Sequence, residues 1–241
     1  MALSRSSASS ATLGATGVAL RPLLQVLRRH FWLKSIGTSG FMVVFFTLYF
    51  YLLKHPDGHV TTMPLTTFDR WVGFQPWALP IYLSLWVYVS LPPALMDSRR
   101  DILAFGMRIG ALCLVGLAVF YVYPTKVPPL AINFARHPDF AILKGVDAGG
   151  NACPSLHVAT AVFAAFWLDW MAPGLGFGVA MRGTNALWCA AIAYSTIATG
   201  QHVAVDVLAG AALGATIAWM TKPRLSSQST RDFEERVNAV P

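Results

Sequence analysis

Charged residues are scarce in this sequence. Only 12% of its 241 residues are Asp, Glu, Lys or Arg, and 55% are hydrophobic, whereas a soluble domain carries about 25% charged residues. The deficit indicates an integral membrane protein, and the length suits one membrane domain. A formal charge of +7 could suggest nucleic acid, but the basic residues cluster at the ends of apolar segments, as the positive-inside rule expects. We therefore expect membrane lipids, and no nucleic acid, as partners.

Cysteines and N-terminal acidic residues are also few. The three cysteines have no partner nearby in the sequence, so neither a metal-binding spacing nor a disulfide framework can be identified. No acidic residue precedes Asp57, which leaves a mitochondrial transit peptide as an alternative interpretation of the N-terminus. The favoured interpretation is a cytoplasmic tail over residues 1–34, in which residues 21–34 form an amphipathic helix on the membrane surface.

Six apolar segments follow this tail. They cover residues 36–53, 77–96, 102–123, 156–171, 186–198 and 203–220. A helix needs about 20 residues to cross a bilayer core, which the second, third and sixth segments satisfy best. We predict an all-α fold, with a six-helix transmembrane bundle over residues 35–222 and a cytoplasmic tail over residues 223–241. Gly210 and Gly214 have the small-xxx-small spacing that permits close helix packing.

The distribution of basic residues predicts the orientation of the bundle. Most of the 18 Lys and Arg residues lie on one side if the N-terminus and the C-terminus are both cytoplasmic. The fourth and sixth segments then begin at the same outer face. We expect a multi-pass protein of a bacterial inner membrane, with its active site facing the periplasm or the exterior.

The first motif is Pro154-Ser155-Leu156-His157. Proline suits the first turn of a helix, because its missing N–H is not needed there. A helix start offers backbone N–H groups and a partial positive charge, so it can bind an anion, and Ser155 adds a hydroxyl donor. His157 lies close enough to protonate whatever the anion is attached to. The alternative interpretation is a capped helix with an interfacial histidine.

The second motif is His202-Val203-Ala204-Val205-Asp206. His202 and Asp206 are four residues apart and share one face of a helix. A carboxylate that accepts from one imidazole nitrogen fixes the tautomer and makes the other nitrogen a better nucleophile. One alternative is a buried polar pair that only ties helices together. Another is a zinc site built from His157, His202 and Asp206, but Ser155 would have no role in it, so we expect no metal and no cofactor.

Together the two motifs supply the groups that phosphoryl transfer requires. One histidine can attack phosphorus while the other protonates the leaving oxygen, and helix-start N–H groups can hold the equatorial oxygens. Two imidazoles suit this chemistry near neutral pH, because their unperturbed pKa is about 6.5.

The motifs resemble those of the type 2 phosphatidic acid phosphatase superfamily, over roughly residues 69–210. The matching residues are Pro154, Ser155, His157, Ser195, His202 and Asp206. The resemblance implies six helices, an outward-facing site and no metal requirement. It also implies a phosphohistidine formed on His202, with His157 as the general acid and Asp206 as the residue that orients His202.

The chain departs from the family pattern at two places. Thr196 stands where the family has arginine, and residues 123–129 replace the family's first motif with Tyr-Pro-Thr-Lys-Val-Pro-Pro. Both changes resemble the branch that includes inositol phosphorylceramide synthase, and Lys126 is the nearest replacement for the missing charge. The residues assigned to phosphate binding are Ser155, Leu156, Ser195, Thr196 and Lys126.

The first functional hypothesis is a membrane phosphatase that hydrolyses a lipid phosphomonoester, such as phosphatidate or an isoprenyl phosphate. The second is a phosphotransferase that moves a lipid headgroup to an alcohol, as the resemblance to the synthase branch implies. A small transporter with a His/Asp proton relay is the alternative of another class.

Overall fold

The computed structural model describes residues 24–129, 140 and 150–222. Most of the predicted N-terminal tail and the whole predicted C-terminal tail lie outside the described residues. Within them, eight α-helices with defined bounds make up most of the chain. They are α1 (Phe31–Lys54), α2 (Thr67–Val72), α3 (Leu79–Leu83), α4 (Leu85–Leu95), α5 (Arg99–Val122), α6 (Leu156–Met171), α7 (Val179–Ala198) and α8 (Ala204–Met220).

Three helical stretches are long and apolar enough to cross a membrane. They are Phe31–Lys54, Pro76–Leu95 and Arg99–Val122. Two further apolar helices, Leu156–Met171 and Ala204–Met220, are shorter. The protein is a mostly helical integral membrane protein, and the six membrane crossings stay a prediction.

The second predicted segment is not one continuous helix. It consists of a 3₁₀ helix, Pro76–Ala78, followed by α3 and α4. The break falls at Ser84, whose hydroxyl donates to the carbonyl of Ile81 at 2.6 Å. The indole N–H of Trp188 in α7 donates to the same hydroxyl at 2.9 Å. A serine that bonds its own backbone competes with the helical pattern, so a short turn replaces the helix here.

Helix α6 lies at the centre of the bundle and contacts α4, α5, α7 and α8. Its side chains are buried on several faces, as for Val158, Ala161, Phe163 and Trp167. A helix that is apolar all round is expected to be surrounded by other helices. The first turn of α6, which carries the first motif, is therefore held by neighbours on several sides.

Helix α8 packs against α6 at backbone distance. A Cβ atom added at Gly210 would collide with the carbonyl of Ser155, and one at Gly214 with the carbonyl of Ala159. This is the close helix packing that the spacing of the two glycines predicted. It brings the first turns of α6 and α8 together.

A small parallel sheet lies beside the start of α6, in addition to the predicted all-α architecture. Strands β1 (Thr61–Thr62) and β2 (Thr125–Lys126) pair in register. The buried hydroxyl of Thr125 accepts from the N–H of Cys153 at 2.8 Å, and its carbonyl accepts from Ala152 at 3.3 Å. Strands of two residues are too short to give an alternating sequence pattern. The sheet fixes the chain that leads into α6.

The predicted interfacial helix over residues 21–34 is not a separate unit in its described part. Residues 24–28 are helical, and α1 begins at Phe31 after a turn at His30. Lys34 therefore belongs to α1. Its buried ammonium donates to the carbonyls of Val26 at 2.8 Å and Ala94 at 2.7 Å, so it joins the N-terminal segment to the end of α4.

Gly214→Ala should destabilise the protein, because the new methyl group meets a backbone carbonyl that cannot rotate aside. Overpacking of this kind lowers the free energy of unfolding by about 1–3 kcal/mol. Gly106→Ala in α5 is the matched control, since a Cβ there has nothing within 4 Å and alanine favours a helix by about 1 kcal/mol over glycine. Thermal unfolding in detergent compares the two variants, and equal Tm values would contradict the expectation.

Candidate active site

The first motif forms the start of α6. Ser155 is the N-cap residue, and its hydroxyl accepts from the N–H of Val158 at 3.3 Å. Serine is favoured there because its oxygen replaces a missing helical acceptor. Ser155 is fully buried, and its own N–H donates to the carbonyl of Asp206 at 3.0 Å. The helix start, with its partial positive charge, is thus tied to the first turn of α8.

The second motif occupies the turn between α7 and α8. The N–H groups of Gln201 and His202 both donate to the carbonyl of Thr196, at 3.0 and 3.1 Å. Gly200 in this turn has φ +71°, a conformation that glycine adopts without steric cost. His202 is consequently held two residues before α8 and is buried.

The structure brings the two predicted histidines into direct contact. Nδ1 of His157 lies 3.2 Å from Nε2 of His202, which is hydrogen-bond distance. Their ring planes are inclined by 61°, so one ring meets the other at its edge. Two residues 45 positions apart therefore form one reactive centre at the adjoining ends of α6 and α8.

Asp206 lies behind His202 on the side away from His157. Its Oδ2 is 3.6 Å from Nδ1 of His202, beyond hydrogen-bond length but close enough for electrostatic attraction. The same oxygen accepts from the N–H of Val203 at 3.1 Å, and Asp206 has no exposed surface. A buried carboxylate in this position favours a proton on the facing imidazole nitrogen and leaves Nε2 of His202 as an electron-pair donor.

Comparison with known families bears directly on this centre. Residues 122–227, which include both motifs, match the model of the PAP2 superfamily. Over these residues the chain resembles the PAP2 superfamily. The match confirms the resemblance to the type 2 phosphatidic acid phosphatases but does not distinguish the synthase-like branch. No curated protein and no solved structure matched the chain.

The match to the PAP2 superfamily indicates the general class of activity. Its members are phosphatases or related phosphotransferases, and the apolar helices place the chain in a membrane lipid context.

The alternative of a zinc site built from His157, His202 and Asp206 can be compared with the geometry. Among the residues that the structure describes, no group of three His, Cys, Asp or Glu side chains is arranged to hold a metal ion.

Ser195 and Thr196, the predicted phosphate ligands in α7, donate their hydroxyl protons to backbone carbonyls of the same helix. The hydroxyl of Ser195 donates to the carbonyl of Ile192 at 2.7 Å, and that of Thr196 donates to Ala193 at 2.8 Å. Both residues are fully buried. In this arrangement neither hydroxyl proton points to a substrate, and the carbonyl of Thr196 instead anchors the turn that carries His202.

Lys126 lies on the exposed side of β2. Its neighbour Thr125 is buried and bonds to Cys153, whereas the side chain of Lys126 is exposed. Side chains alternate between the two faces of a strand, so the Cβ of Lys126 points away from the chain that leads into α6. The described contacts do not join Lys126 to either histidine, and its predicted role in phosphate binding stays a prediction.

Two residues beside the centre, Tyr82 and Asp69, were not predicted from the sequence. The hydroxyl of Tyr82 in α3 lies 2.8 Å from Nε2 of His157. Oδ1 of Asp69 in α2 accepts from the N–H of Ala204, the first residue of α8, at 2.7 Å. The Thr66-x-x-Asp69 spacing is that of a capping box and could have indicated the start of α2. Tyr82 carries no comparable signal.

Cys153 is the other potential nucleophile beside the centre. Burial raises the pKa of its thiol to about 11, and the negative charge of Asp206 acts in the same direction. A thiol with this pKa is protonated at neutral pH and is a weak nucleophile. Cys153 therefore does not compete with His202.

A cavity of about 40 Å³ adjoins His202. Its other walls include Asp69, Val127 and Ile197. A cavity needs about 10–15 Å³ of space, measured in this way, to hold one water molecule. The space beside His202 is therefore large enough for water.

Asp69→Asn should weaken the start of α2, because the amide nitrogen would replace an oxygen that accepts from both the N–H and the hydroxyl of Thr66 at 2.7 Å. Leaving buried donors unsatisfied costs about 1–3 kcal/mol in the free energy of unfolding. Asp57→Asn is the control, since Asp57 is exposed. The measurement is thermal unfolding together with turnover. An Asp69 variant that matches the Asp57 variant in both would show that this carboxylate does not support the site.

Proposed function

We propose that the protein is a lipid-phosphate phosphatase that hydrolyses a phosphomonoester, such as phosphatidate or an isoprenyl phosphate, through a phosphohistidine on His202. The observation that carries this proposal is the 3.2 Å contact between Nδ1 of His157 and Nε2 of His202, with Asp206 behind His202. The family match supports the reaction class, and the apolar helices support a substrate that resides in the membrane.

In the first step, Nε2 of His202 attacks phosphorus. The N–P bond forms while the bond from phosphorus to the leaving oxygen breaks, and His157 donates a proton to that oxygen. Asp206 stabilises the positive charge that develops on the His202 ring. The start of α6 and the hydroxyl of Ser155 stabilise the equatorial oxygens.

In the second step, water releases the phosphate. His157, now neutral, accepts a proton from the water as its oxygen attacks phosphorus and the N–P bond breaks. A phosphoryl group has to lie between the two rings, so substrate binding must separate the nitrogens that are now in contact.

Headgroup transfer to an alcohol is the second candidate. It was suggested by Thr196 and by the Pro124-Thr125 stretch. The hydroxyls of both threonines have partners within the protein, since that of Thr196 donates to the carbonyl of Ala193 at 2.8 Å and that of Thr125 accepts from the N–H of Cys153 at 2.8 Å. These contacts account for the two threonines without a lipid acceptor, which favours water.

The proposal includes the membrane orientation. Most Lys and Arg residues are on the inner side if both termini are cytoplasmic, and the centre then faces the outside. In a bacterial inner membrane, the substrate headgroup would approach from the periplasm.

His202→Ala and His157→Ala should each lower the turnover of a lipid phosphomonoester by about 10³-fold or more, and the two losses should not be additive. His59→Ala is the control, because His59 is exposed. Radiolabelled substrate should give an acid-labile, alkali-stable phosphoprotein with the wild type and none with His202→Ala. Turnover that is abolished by EDTA and restored by zinc would favour the metal site instead.

The acceptor can be identified by supplying lipid phosphates with and without alcohols. A phosphatase should release phosphate quickly from a phosphomonoester with water alone, at a rate that alcohols do not change. Slow release that alcohols accelerate, together with a new phosphodiester product, would favour headgroup transfer. Proton flux without any phosphate release would favour the transporter.

A further inference from the structure

We propose that Tyr82 is a positioning residue for the general acid. Its hydroxyl is hydrogen-bonded to Nε2 of His157 and so holds Nδ1 of His157, which carries the proton to be transferred, toward the reacting phosphoryl group. This role rests on the proposed function. It assigns a task to α3, which lies outside the region that matches the PAP2 superfamily.

Tyr82 is held in place by apolar neighbours. The residue is only 3% exposed and packs in a cluster with Leu79 and Phe140. Its ring centroid is 5.1 Å from that of His157, and its hydroxyl oxygen is 2.8 Å from Nε2. Because the ring is held by apolar neighbours, the hydroxyl is preorganised beside the imidazole.

The direction of the hydrogen bond between Tyr82 and neutral His157 follows from the groups that lie beyond it, which are His202 and then Asp206. The Asp206 carboxylate faces Nδ1 of His202, so the proton of neutral His202 lies on Nδ1 and its Nε2 is an acceptor. Nδ1 of His157 faces that acceptor and must carry a proton. Nε2 of neutral His157 is then an acceptor as well, and the hydroxyl of Tyr82 is the donor.

This hydrogen bond is compatible with both charge states of His157. When His157 is an imidazolium, Nε2 also carries a proton and the hydroxyl of Tyr82 accepts it. When Nδ1 gives its proton to the leaving oxygen, Nε2 keeps its own proton and continues to donate to the hydroxyl of Tyr82, which leaves Nδ1 free to accept a proton from water. The proton that reaches the leaving oxygen is therefore always the one on Nδ1, which faces His202.

Tyr88 provides a matched comparison within the same part of the chain. It is also a buried tyrosine, and its hydroxyl donates to Oδ1 of Asn185 at 2.6 Å. That bond joins α4 to α7 and involves no histidine. Loss of the Tyr88 hydroxyl removes a buried hydrogen bond of similar kind without touching the centre, which separates an effect on the reaction from an effect on folding.

The first test compares two phosphomonoesters in the full-length protein. An alkyl ester has a poor leaving group that needs a proton, whereas p-nitrophenyl phosphate has a good one that does not. Tyr82→Phe should lower kcat/KM for the alkyl ester by about tenfold or more, part of the 10²–10⁴-fold typical of general acids, and leave kcat/KM for the aryl ester little changed. Tyr88→Phe should not alter the ratio of the two kcat/KM values. The ratio does not depend on the folded fraction.

An unchanged ratio in Tyr82→Phe, or an equal loss with both esters, would overturn the role of Tyr82. A wild type that cleaves neither ester would overturn the proposed function itself and this role with it. The two failures are therefore distinguishable.

A second test needs no variant at position 82 and so does not depend on its folding. ¹⁵N NMR of histidine-labelled wild-type protein, with His157→Gln used for assignment, reports the tautomer of neutral His157. The proposal requires the proton on Nδ1, opposite to the preference of a free histidine side chain in water. A proton on Nε2 would overturn it.

Discussion

The centre depends on the contact between the backbones of α6 and α8. Gly210 and Gly214 leave room for the carbonyls of Ser155 and Ala159. At that separation, the N–H of Ser155 reaches the carbonyl of Asp206, so the first turns of both helices are joined directly. Each histidine lies within four residues of this bond, and small-residue packing in the membrane thereby sets the distance between the two rings.

The burial of Asp206 is expensive unless its charge is compensated. The N–H of Val203 and the start of α8 provide part of the compensation, and the imidazole of His202 lies 3.6 Å away. Packing alone would be satisfied by an apolar residue. A carboxylate is useful here if a positive charge forms on His202, as the proposed attack on phosphorus requires, and intramembrane ionisable residues are expected to have such functions.

Hydropathy was sufficient to predict most of the helices, and the predicted bounds of residues 156–171 are those of α6. It could not predict the break at Ser84, which depends on a hydroxyl that bonds its own backbone.

The motif spacing indicated both histidines of the candidate site because they lie beside short local signatures. Tyr82 and Asp69 reach their partners across 75 and 135 residues, so only the packing of helices reveals them. The exposure of Lys126 depends on its position in a two-residue strand, which the sequence pattern does not reveal.

The two helix starts beside the histidines are not equivalent as anion sites. At α8, the carboxylates of Asp69 and Asp206 already accept from the N–H groups of Ala204 and Val203. Their negative charges offset the partial positive charge of that helix start and oppose a phosphate. At the α6 start, the cap that the structure describes is the neutral hydroxyl of Ser155. In the proposed reaction, electrostatics would therefore direct a phosphoryl group to α6, with the leaving oxygen beside His157 and phosphorus facing Nε2 of His202. The capping of the two helices thus supports the different tasks proposed for the histidines.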